Sequence, residues 1–503
     1  MTDPDPGVSD GFGDSRERFE ALAAWLGGDD ANGLDHGELE VRLDIEGREL
    51  LRRLFQDHLD LRAQRESRIE GIVDADGVGR GTVEGGHHRG LATVFGDVEV
   101  ERLAYRRRGH PNLHPADAAL NLPDQRHSHG LRRLAAIEAT RGSFDEAVDS
   151  IGRTTGQQLD KRQVEDLAQR AAADFEEFYA TRSHTTCEDG DVLVLSCDGK
   201  GIVMRPEALR AATAKAAAAG TTKLATRLSK GEKRNRKRMA EVGAVYDLSP
   251  VPRTPADILA RSDETGDATP APTAKNKWLL ASVVEDAAAV VARIFDEAER
   301  RDPQHRRNWV ALVDGNNHQI DRIEAEAEAQ ARGVKVPVVI DFVHVLEYLW
   351  RAEWSFHDEG DPDAETWVHD KARAVLAGHA TRVAAAIRRK ATYHRLTPAA
   401  RANADTAATY LTNKAPYLDY PTALAQGWLI ATGVIEGACR HLVKDRMDLT
   451  GARWGLEGAE AVLKLRALRS NGDFPDYWPY HLAQERRRNH EQRYANNTIP
   501  QAA

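Results

Sequence analysis

Two aspartates that interrupt or end apolar runs are the first residues whose type and position suggest chemistry. Asp198 stands in "DVLVLSCDGKGIVM", after apolar and β-branched residues, and Asp314 ends the apolar part of "NWVALVDGNNHQI". A buried carboxylate is costly unless it meets a cation or a metal ion. We therefore predict that both aspartates bind divalent metal ions. The alternative at each position is a turn formed with the next residue, Gly199 or Gly315.

A third carboxylate comes from the helical stretch "GWLIATGVIEGACRHLVKDRM". Glu436, Arg440 and Lys444 lie four residues apart and share one polar stripe, while apolar residues occupy another face. A glutamate at the metal ions with two cations beside it would place positive charge where DNA phosphates lie. The simpler alternative is an exposed Glu–Arg pair, which stabilises a helix only slightly.

Further polar residues could also bind a metal ion, and each has a simpler structural explanation. In "VIDFVHVLEYLW", Asp341 ends an apolar run and His344 follows it. Asp341 could simply cap the next helix, and His344 could be a partly buried histidine with a hydrogen-bond partner. A zinc site at His184, Cys187 and Cys197 is rejected because a fourth ligand and the usual paired spacing are missing.

The element order gives the expected frame for these residues. Strand patterns at 192–197, 241–248 and 277–284 precede a helix, a strand ending at Asp314, a second helix and a strand ending at Asp341. This order predicts an α/β protein with an RNase H-like mixed sheet of strand order 3-2-1-4-5. Adjacent strands lie about 4.8 Å apart, so Asp198 and Asp314 could share two metal ions. Asp341 lies one strand farther out, and we therefore choose Asp314 as the second ligand.

The remaining chain is divided by its patterns. Residues 1–15 are acidic and rich in Gly and Pro, which predicts a disordered tail rather than a signal peptide. We predict five further segments. They are an N-terminal DNA-binding region at 16–185, the first part of the core at 186–345, an α-helical insertion at 346–424, C-terminal core helices at 425–485 and a basic tail at 486–503.

Within the N-terminal region, alternating residues predict a β-hairpin at 91–107 with its turn at Gly96-Asp97. The stretch from Ser143 to Ala172 predicts two helices separated by a break at Gly156. This outline fits a helix-turn-helix, but helical hairpins without a DNA role have the same pattern.

Composition bounds the class of protein. The chain has 503 residues, of which 41% are hydrophobic and 29% charged, and it has no apolar run long enough to cross a bilayer. Three cysteines fit a reducing compartment, so we expect a cytoplasmic protein of several domains without a membrane partner.

Positive charge is clustered although the formal net charge is −10. Basic runs lie at 105–110, 223–238 and 485–493, and solvated surface faces are the alternative explanation for each. We predict that the second run and the Glu436 helix contact DNA phosphates. The predicted DNA-binding residues are Lys223, Arg227, Lys230, Lys233, Arg234, Arg236, Lys237, Arg238, Arg440 and Lys444.

With these residues in place, the sequence resembles bacterial insertion-sequence transposases of the ISKra group, which are DDE enzymes related to the Mutator-like superfamily. The resemblance covers about residues 85–485 and rests on ordered blocks, among them "TVFGDVEVERLAYR", "LSCDGKG", "RKRMAEVGAVYD", "LVDGNNHQI", "VIDFVHVLEYLW" and "GVIEGACRHLVKDRMDLTGARWGLEGAEAVLKLRAL". It implies a metal-binding triad at Asp198, Asp314 and Glu436, with Asp341 and His344 as an accessory motif. It also implies a helical insertion before Glu436.

The resulting expectation is a transposase that binds the terminal inverted repeats of its element and cuts and joins DNA. Mg²⁺, or Mn²⁺ in its place, would activate water and then the liberated 3′-OH for in-line displacement at phosphorus. Expected partners are double-stranded DNA, at element ends and target, and further copies of the chain. The rivals are an RNase H-like nuclease without strand transfer and a host-adopted DNA-binding protein.

Overall fold

A computed structural model of the chain describes residues 11–182, 190–219, 236–260, 269–329, 334–449 and 451–501. The chain forms two compact units, which we call unit 1 and unit 2. Unit 1 comprises Met1–Thr181 and Gly472–Ala503, and unit 2 comprises Arg182–Asn471. The two ends of the chain therefore belong to the same unit, a pairing that the sequence patterns did not predict.

Unit 1 is mainly helical and carries one β-hairpin. Its elements are α1 (Gly13–Leu26), α2 (Asp29–Asn32), α3 (His36–Gln64), β1 (Thr82–Thr93), β2 (Gly96–Arg106), α4 (Pro115–Ala119), α5 (His129–Ala139), α6 (Phe144–Thr155), α7 (Lys161–Ala171), α8 (Phe175–Thr181) and, from the C-terminus, α21 (Phe474–Asn489). Helix α1 begins inside the range predicted as a tail, and the backbone N–H of Ser15 donates to Asp57 Oδ2 at 3.0 Å. The first ten residues of that predicted tail lie outside the described residues.

The predicted hairpin is confirmed, but its turn was misplaced. Thr93 pairs with Gly96, so the two-residue turn is Val94-Phe95 rather than Gly96-Asp97. The Thr93 hydroxyl accepts from Phe95 N at 3.1 Å and donates to Gly96 O at 2.7 Å, which closes the turn locally. The hairpin packs on α3 through a small apolar core of Leu59, Leu91, Val98, Val100 and Leu122.

The predicted helix pair is also confirmed. Helix α6 ends at Thr155, the next residue Gly156 adopts a left-handed conformation with φ 74°, and α7 begins at Lys161, directly after Asp160. Each helix starts with a capping box, formed by Ser143 with Glu146 and by Asp160 with Gln163, which satisfies the free N–H groups of the first turn. The break at Gly156 thus follows from local sequence chemistry.

Helix α21 joins unit 1 through a buried charge network, and it spans the predicted boundary at 485. Arg132 is 1% exposed, and its guanidinium donates to both carboxylate oxygens of Glu485. His481 Nδ1 lies 2.6 Å from Asp174 Oδ2, and Arg488 donates to the same aspartate. Burial would raise the pKa of Glu485, but the hydrogen bonds and charge of Arg132 outweigh it and hold the pKa below its usual value.

Unit 2 holds a mixed sheet surrounded by helices. Its elements are β3 (Val192–Val203), α9 (Ala211–Ala219), β4 (Lys237–Leu248), α10 (Pro255–Leu259), β5 (Ala274–Ser282), α11 (Ala287–Arg301), β6 (Trp309–Val313), α12 (Asn317–Ala329), β7 (Val338–Ile340), α13 (Phe342–Glu353), α14 (Pro362–Leu376), α15 (Ala380–Tyr393), α16 (Pro398–Asn413), α17 (Tyr420–Ala425), α18 (Gly433–Ala438), α19 (Asp445–Met447) and α20 (Leu456–Ser470). The predicted α/β class with a mixed five-stranded sheet is confirmed.

The five strands lie in the order β5-β4-β3-β6-β7. β3 pairs antiparallel with β4 and parallel with β6, and β6 pairs parallel with β7. β3 runs six residues past the predicted end at Cys197 because its pairing with β4 continues to Val203 and Lys237. Helix α11 packs on β4 at Gly243, where an added Cβ would lie 2.8 Å from Ile294 Cγ1.

Between Ile340 and Gly433 the described chain is helical, with α13 to α17 and no strand. Helix α16 packs against α15 and α13, and the alanine-rich faces of α15 and α16 are buried. In the described residues, no helix is both long and apolar enough to cross a membrane.

Replacing Glu485 tests whether α21 is an integral part of unit 1. We expect Glu485→Ala to lower the free energy of unfolding by roughly 3 to 5 kcal/mol, because Arg132 would remain buried without its carboxylate. Arg487→Ala, at an exposed position of the same helix, should change it by at most about 0.5 kcal/mol. Urea denaturation followed by circular dichroism measures both. Equal stabilities of the two variants would contradict this role for α21.

Candidate metal centre

The strand register brings three aspartates to one level of the sheet. Leu195 pairs with Ala311, so Asp198 and Asp314 each stand three residues beyond a paired position. Val313 pairs with Ile340, so Asp341 follows its strand as Asp314 follows β6. The neighbouring strands β3, β6 and β7 therefore carry carboxylates at corresponding positions.

Asp198 lies within β3 and not at its end. It pairs with Val242 of β4, is half-buried, and keeps the strand conformation, so the turn alternative is wrong. Its Oδ1 accepts from Gly199 N at 2.6 Å, and its Oδ2 accepts from Cys439 Sγ at 3.2 Å. Burial, followed by the charge of Asp198, raises the pKa of the Cys439 thiol, which stays a protonated donor.

Asp314 follows β6 in the loop before α12. Its Oδ1 accepts from Asn316 N at 2.8 Å, which forms a tight turn, and Gly315 has φ 95°, where a side chain would be strained. The backbone at Asp314 and Gly315 therefore does form a turn, as the alternative interpretation of this position predicts. Among the described residues, the other carboxylate oxygen of Asp314 has no hydrogen-bond donor, so it is available to a ligand.

Asp341 caps α13, as the simpler alternative held, and it also binds a second segment. Its Oδ1 accepts from Val343 N at 2.6 Å. Its Oδ2 accepts from Thr432 N at 2.8 Å and from the Thr432 hydroxyl. Asp341 is only 1% exposed, so these donors compensate a charge that is almost completely buried.

Glu436 reaches this carboxylate from the first turn of α18. Within the described part of the chain, Asp341, His344 and Glu436 form a group of three whose ligand atoms all lie within 4.8 Å of one another, and neither Asp198 nor Asp314 belongs to it. The sequence predicts that Asp341 lies one strand too far out to share the metal ions of Asp198 and Asp314, and the group indeed contains neither of these aspartates. Glu436 lies beside Asp341 because the segment before α18 is fixed to Asp341 through Thr432.

Two side-chain contacts fix the helix that carries Glu436. Thr432, just before α18, binds Asp341 beyond β7, and Cys439, just after α18, binds Asp198 on β3. Glu436 lies between them in the sequence, with its Oε1 3.3 Å from Thr432 Oγ1. The glutamate is therefore held between two strands that flank β6.

The helix continues from α18 as a π-helix at Cys439–Lys444 before α19. The wider π-turn changes the angular spacing of side chains, so the predicted i, i+4, i+8 stripe is not a regular α-helical one. Arg440 and Lys444 are exposed, and Arg440 Nε lies 3.7 Å from Asp445 Oδ1. Their contact with DNA phosphates stays a prediction.

The predicted basic run is described only at its end. Lys223, Arg227, Lys230, Lys233 and Arg234 lie outside the described residues, as do the rejected zinc candidates His184 and Cys187. Arg236 is half-buried and Lys237 is exposed. The guanidinium of Arg238 donates to the carbonyl oxygens of Val283, Ala208 and Val284, so this arginine joins β4 to the chain after β5.

Sequence reasoning missed the residues that position the carboxylates. Thr432 and Cys439 are an ordinary helix-start threonine and a lone cysteine in the sequence, and only the fold brings them to Asp341 and Asp198. Glu241 was also missed, although pairing of β3 with β4 places it opposite Gly199. Burial, opposed by Arg210 and reinforced by the charge of Asp198, raises the pKa of Glu241.

Comparison with known proteins adds no family assignment. No protein-family model matches the chain, and no curated protein matches it significantly.

Thr432 allows a direct test of the contact that positions Glu436. We expect Thr432→Val to lower the free energy of unfolding by roughly 1.5 to 3 kcal/mol, because a buried carboxylate loses a hydroxyl donor. Thr432→Ser should retain most of the stability, and Thr422→Val, at an exposed position, serves as the control. Urea denaturation followed by tryptophan fluorescence gives the values. Equal losses in the Val and Ser variants would show that the hydroxyl is unimportant.

Proposed function

We propose that the chain is a DDE-type DNA transposase with an RNase H-like core formed by β3 to β7. The observation that carries the proposal is the attachment of the Glu436 helix to Asp341 and Asp198, beside a strand that ends at Asp314. The sheet order β5-β4-β3-β6-β7 supports it, since it corresponds to the 3-2-1-4-5 order expected of such a core. The helical stretch between Ile340 and Gly433 fits the expected insertion.

The donor set suits a hard divalent cation. Asp198, Asp314 and Glu436 supply carboxylate oxygens, which Mg²⁺ and Mn²⁺ prefer, and a site with few protein ligands leaves room for water and phosphate. These three residues would hold the ions, while Asp341 is already bound by backbone and hydroxyl donors and orients the neighbouring helix. Bound divalent ions would activate the attacking oxygen and stabilise the leaving oxygen in phosphodiester cleavage and strand transfer.

The other residues of the chain have supporting roles in this proposal. Thr432 and Cys439 hold Glu436 and Asp198 in place, and His344 lies beside Glu436, where it could contact the DNA strand. Arg440, Lys444 and the basic run contact phosphates, while helices α6 and α7 of unit 1 read the element ends. The active complex contains several copies of the chain and works on cytoplasmic DNA.

A nuclease on the same fold is the main rival, because it would use the same carboxylates without joining DNA. Incubation of the protein with labelled terminal-repeat DNA and a plasmid target distinguishes the two. Joined products on a gel support the transposase, and cleavage without joining supports the nuclease. Inverted repeats in the DNA on both sides of the gene would independently support transposition.

Isosteric substitutions test the proposed metal ligands. We expect Asp198→Asn, Asp314→Asn and Glu436→Gln each to lower Mg²⁺-dependent cleavage by roughly a hundredfold or more, because the neutral side chains keep their shape and lose affinity for the ions. DNA-end binding, measured by gel shift, should persist. Asp341→Asn should reduce cleavage less than Asp314→Asn. Cleavage that survives one of the three changes would remove that residue from the site.

Salt dependence tests the basic run. Replacing Lys233, Arg234, Arg236 and Lys237 by Ala should weaken binding to any duplex. It should also reduce the log–log salt slope by about 0.9 for each lost phosphate contact. Fluorescence anisotropy at several salt concentrations measures the slope. Arg382→Ala with Arg389→Ala removes two exposed cations elsewhere and should leave it unchanged. An unchanged slope in the fourfold variant would show that the basic run is a solvated surface that does not contact DNA.

A further inference from the structure

Helix α16 contacts the loop that carries Asp314. An added Cβ at Gly315 would lie 2.9 Å from Tyr410 Oη, so only glycine permits this close approach. The Tyr410 ring stacks on Tyr348 of α13 with centroids 3.8 Å apart. Just after α16, Tyr417 Oη donates to Glu324 Oε1 of α12 at 2.9 Å. The end of α16 and the residues just after it thus contact the chain from Gly315 to α12.

Lys414 lies directly after α16 and brings a buried cation to this loop. It is 7% exposed, and its ammonium group donates to Asn317 Oδ1, three residues after Asp314. Lysines are rarely buried without a charged partner. The carboxylates whose charges act on Lys414 are Asp314 and Asp321, and they oppose the effect of burial, which lowers the pKa of the lysine.

We infer that Lys414 is the built-in counter-charge of Asp314, held against the Asp314 loop by α16 so that a divalent cation must bind in competition with its ammonium group. This inference rests on the proposed function, because it assumes that Asp314 is a metal ligand. In the metal-free protein the ammonium group partly compensates the charge of Asp314. Lys414 is therefore a positioning residue that also sets the metal concentration the site requires.

The test measures Mn²⁺ binding to the full chain without DNA, by the electron paramagnetic resonance signal of free Mn²⁺. Lys414→Met and Lys414→Gln remove the charge in two ways, and both should lower the Mn²⁺ concentration for half-saturation roughly tenfold, because a nearby positive charge is lost. Lys414→Arg keeps the charge and should bind like the wild type. Thermal unfolding by circular dichroism verifies that each variant is folded.

Two controls separate the charge from the packing. Lys390→Met removes a cation on α15 that interacts with Glu353 and not with Asp314. Tyr410→Phe removes the hydroxyl group next to Gly315 without a change of charge. Both should leave half-saturation unchanged. Unchanged or weaker Mn²⁺ binding in a folded Lys414→Met or Lys414→Gln variant would overturn the inference. Weaker binding in Lys414→Arg as well would assign the lysine to packing only.

The outcome for the proposed function can be distinguished from these results. A wild-type chain that binds no Mn²⁺, or an Asp314→Asn variant that binds it like the wild type, would overturn the metal site itself and the inference with it. Wild-type binding that depends on Asp314 but not on the charge at position 414 would overturn the inference alone.

Discussion

The candidate site depends on one constraint, the double attachment of the Glu436 helix. Thr432 donates to a buried aspartate beyond β7, and Cys439 donates to an aspartate inside β3. The Thr432 contact is a charge-assisted hydrogen bond to a buried carboxylate, and the Cys439 contact is a weaker S–H hydrogen bond to a half-buried one, so the two together position the helix relative to both aspartates. Without them, nothing would hold the short helix with the exposed Glu436 beside the sheet.

This attachment explains why carboxylates of like charge can lie close together. Asp341 is stabilised by three donors and Asp198 by two, so much of their charge is compensated within the protein. Asp314 has one donor and, in our inference, the nearby charge of Lys414. Among the three aspartates, Asp314 has the fewest fixed partners and is therefore the one best able to exchange them for a metal ion.

In unit 1, hydrogen bonds to buried charged groups have a purely structural role. Arg132, Glu485, His481 and Asp174 form a buried charge network that ties the last long helix to the N-terminal helices. The basic run at 485–493, most of which is predicted from the sequence to be a basic tail, therefore contributes in part to folding. A stable fragment of unit 1 needs both ends of the chain, since a fragment ending near residue 185 would leave Arg132 and Asp174 without their partners.

The sequence by itself determined the local elements: five strands, the hairpin, the helix pair broken at Gly156, and the helical stretch before Glu436. These follow from periodicity, capping residues and glycine, which act over a few positions. It also singled out Asp198, Asp314, Asp341, His344 and Glu436. Only the tertiary structure decided which of them meet, that Thr432 and Cys439 hold them, and that α21 belongs with the N-terminal helices. Such contacts join residues up to several hundred positions apart, and no local pattern encodes them.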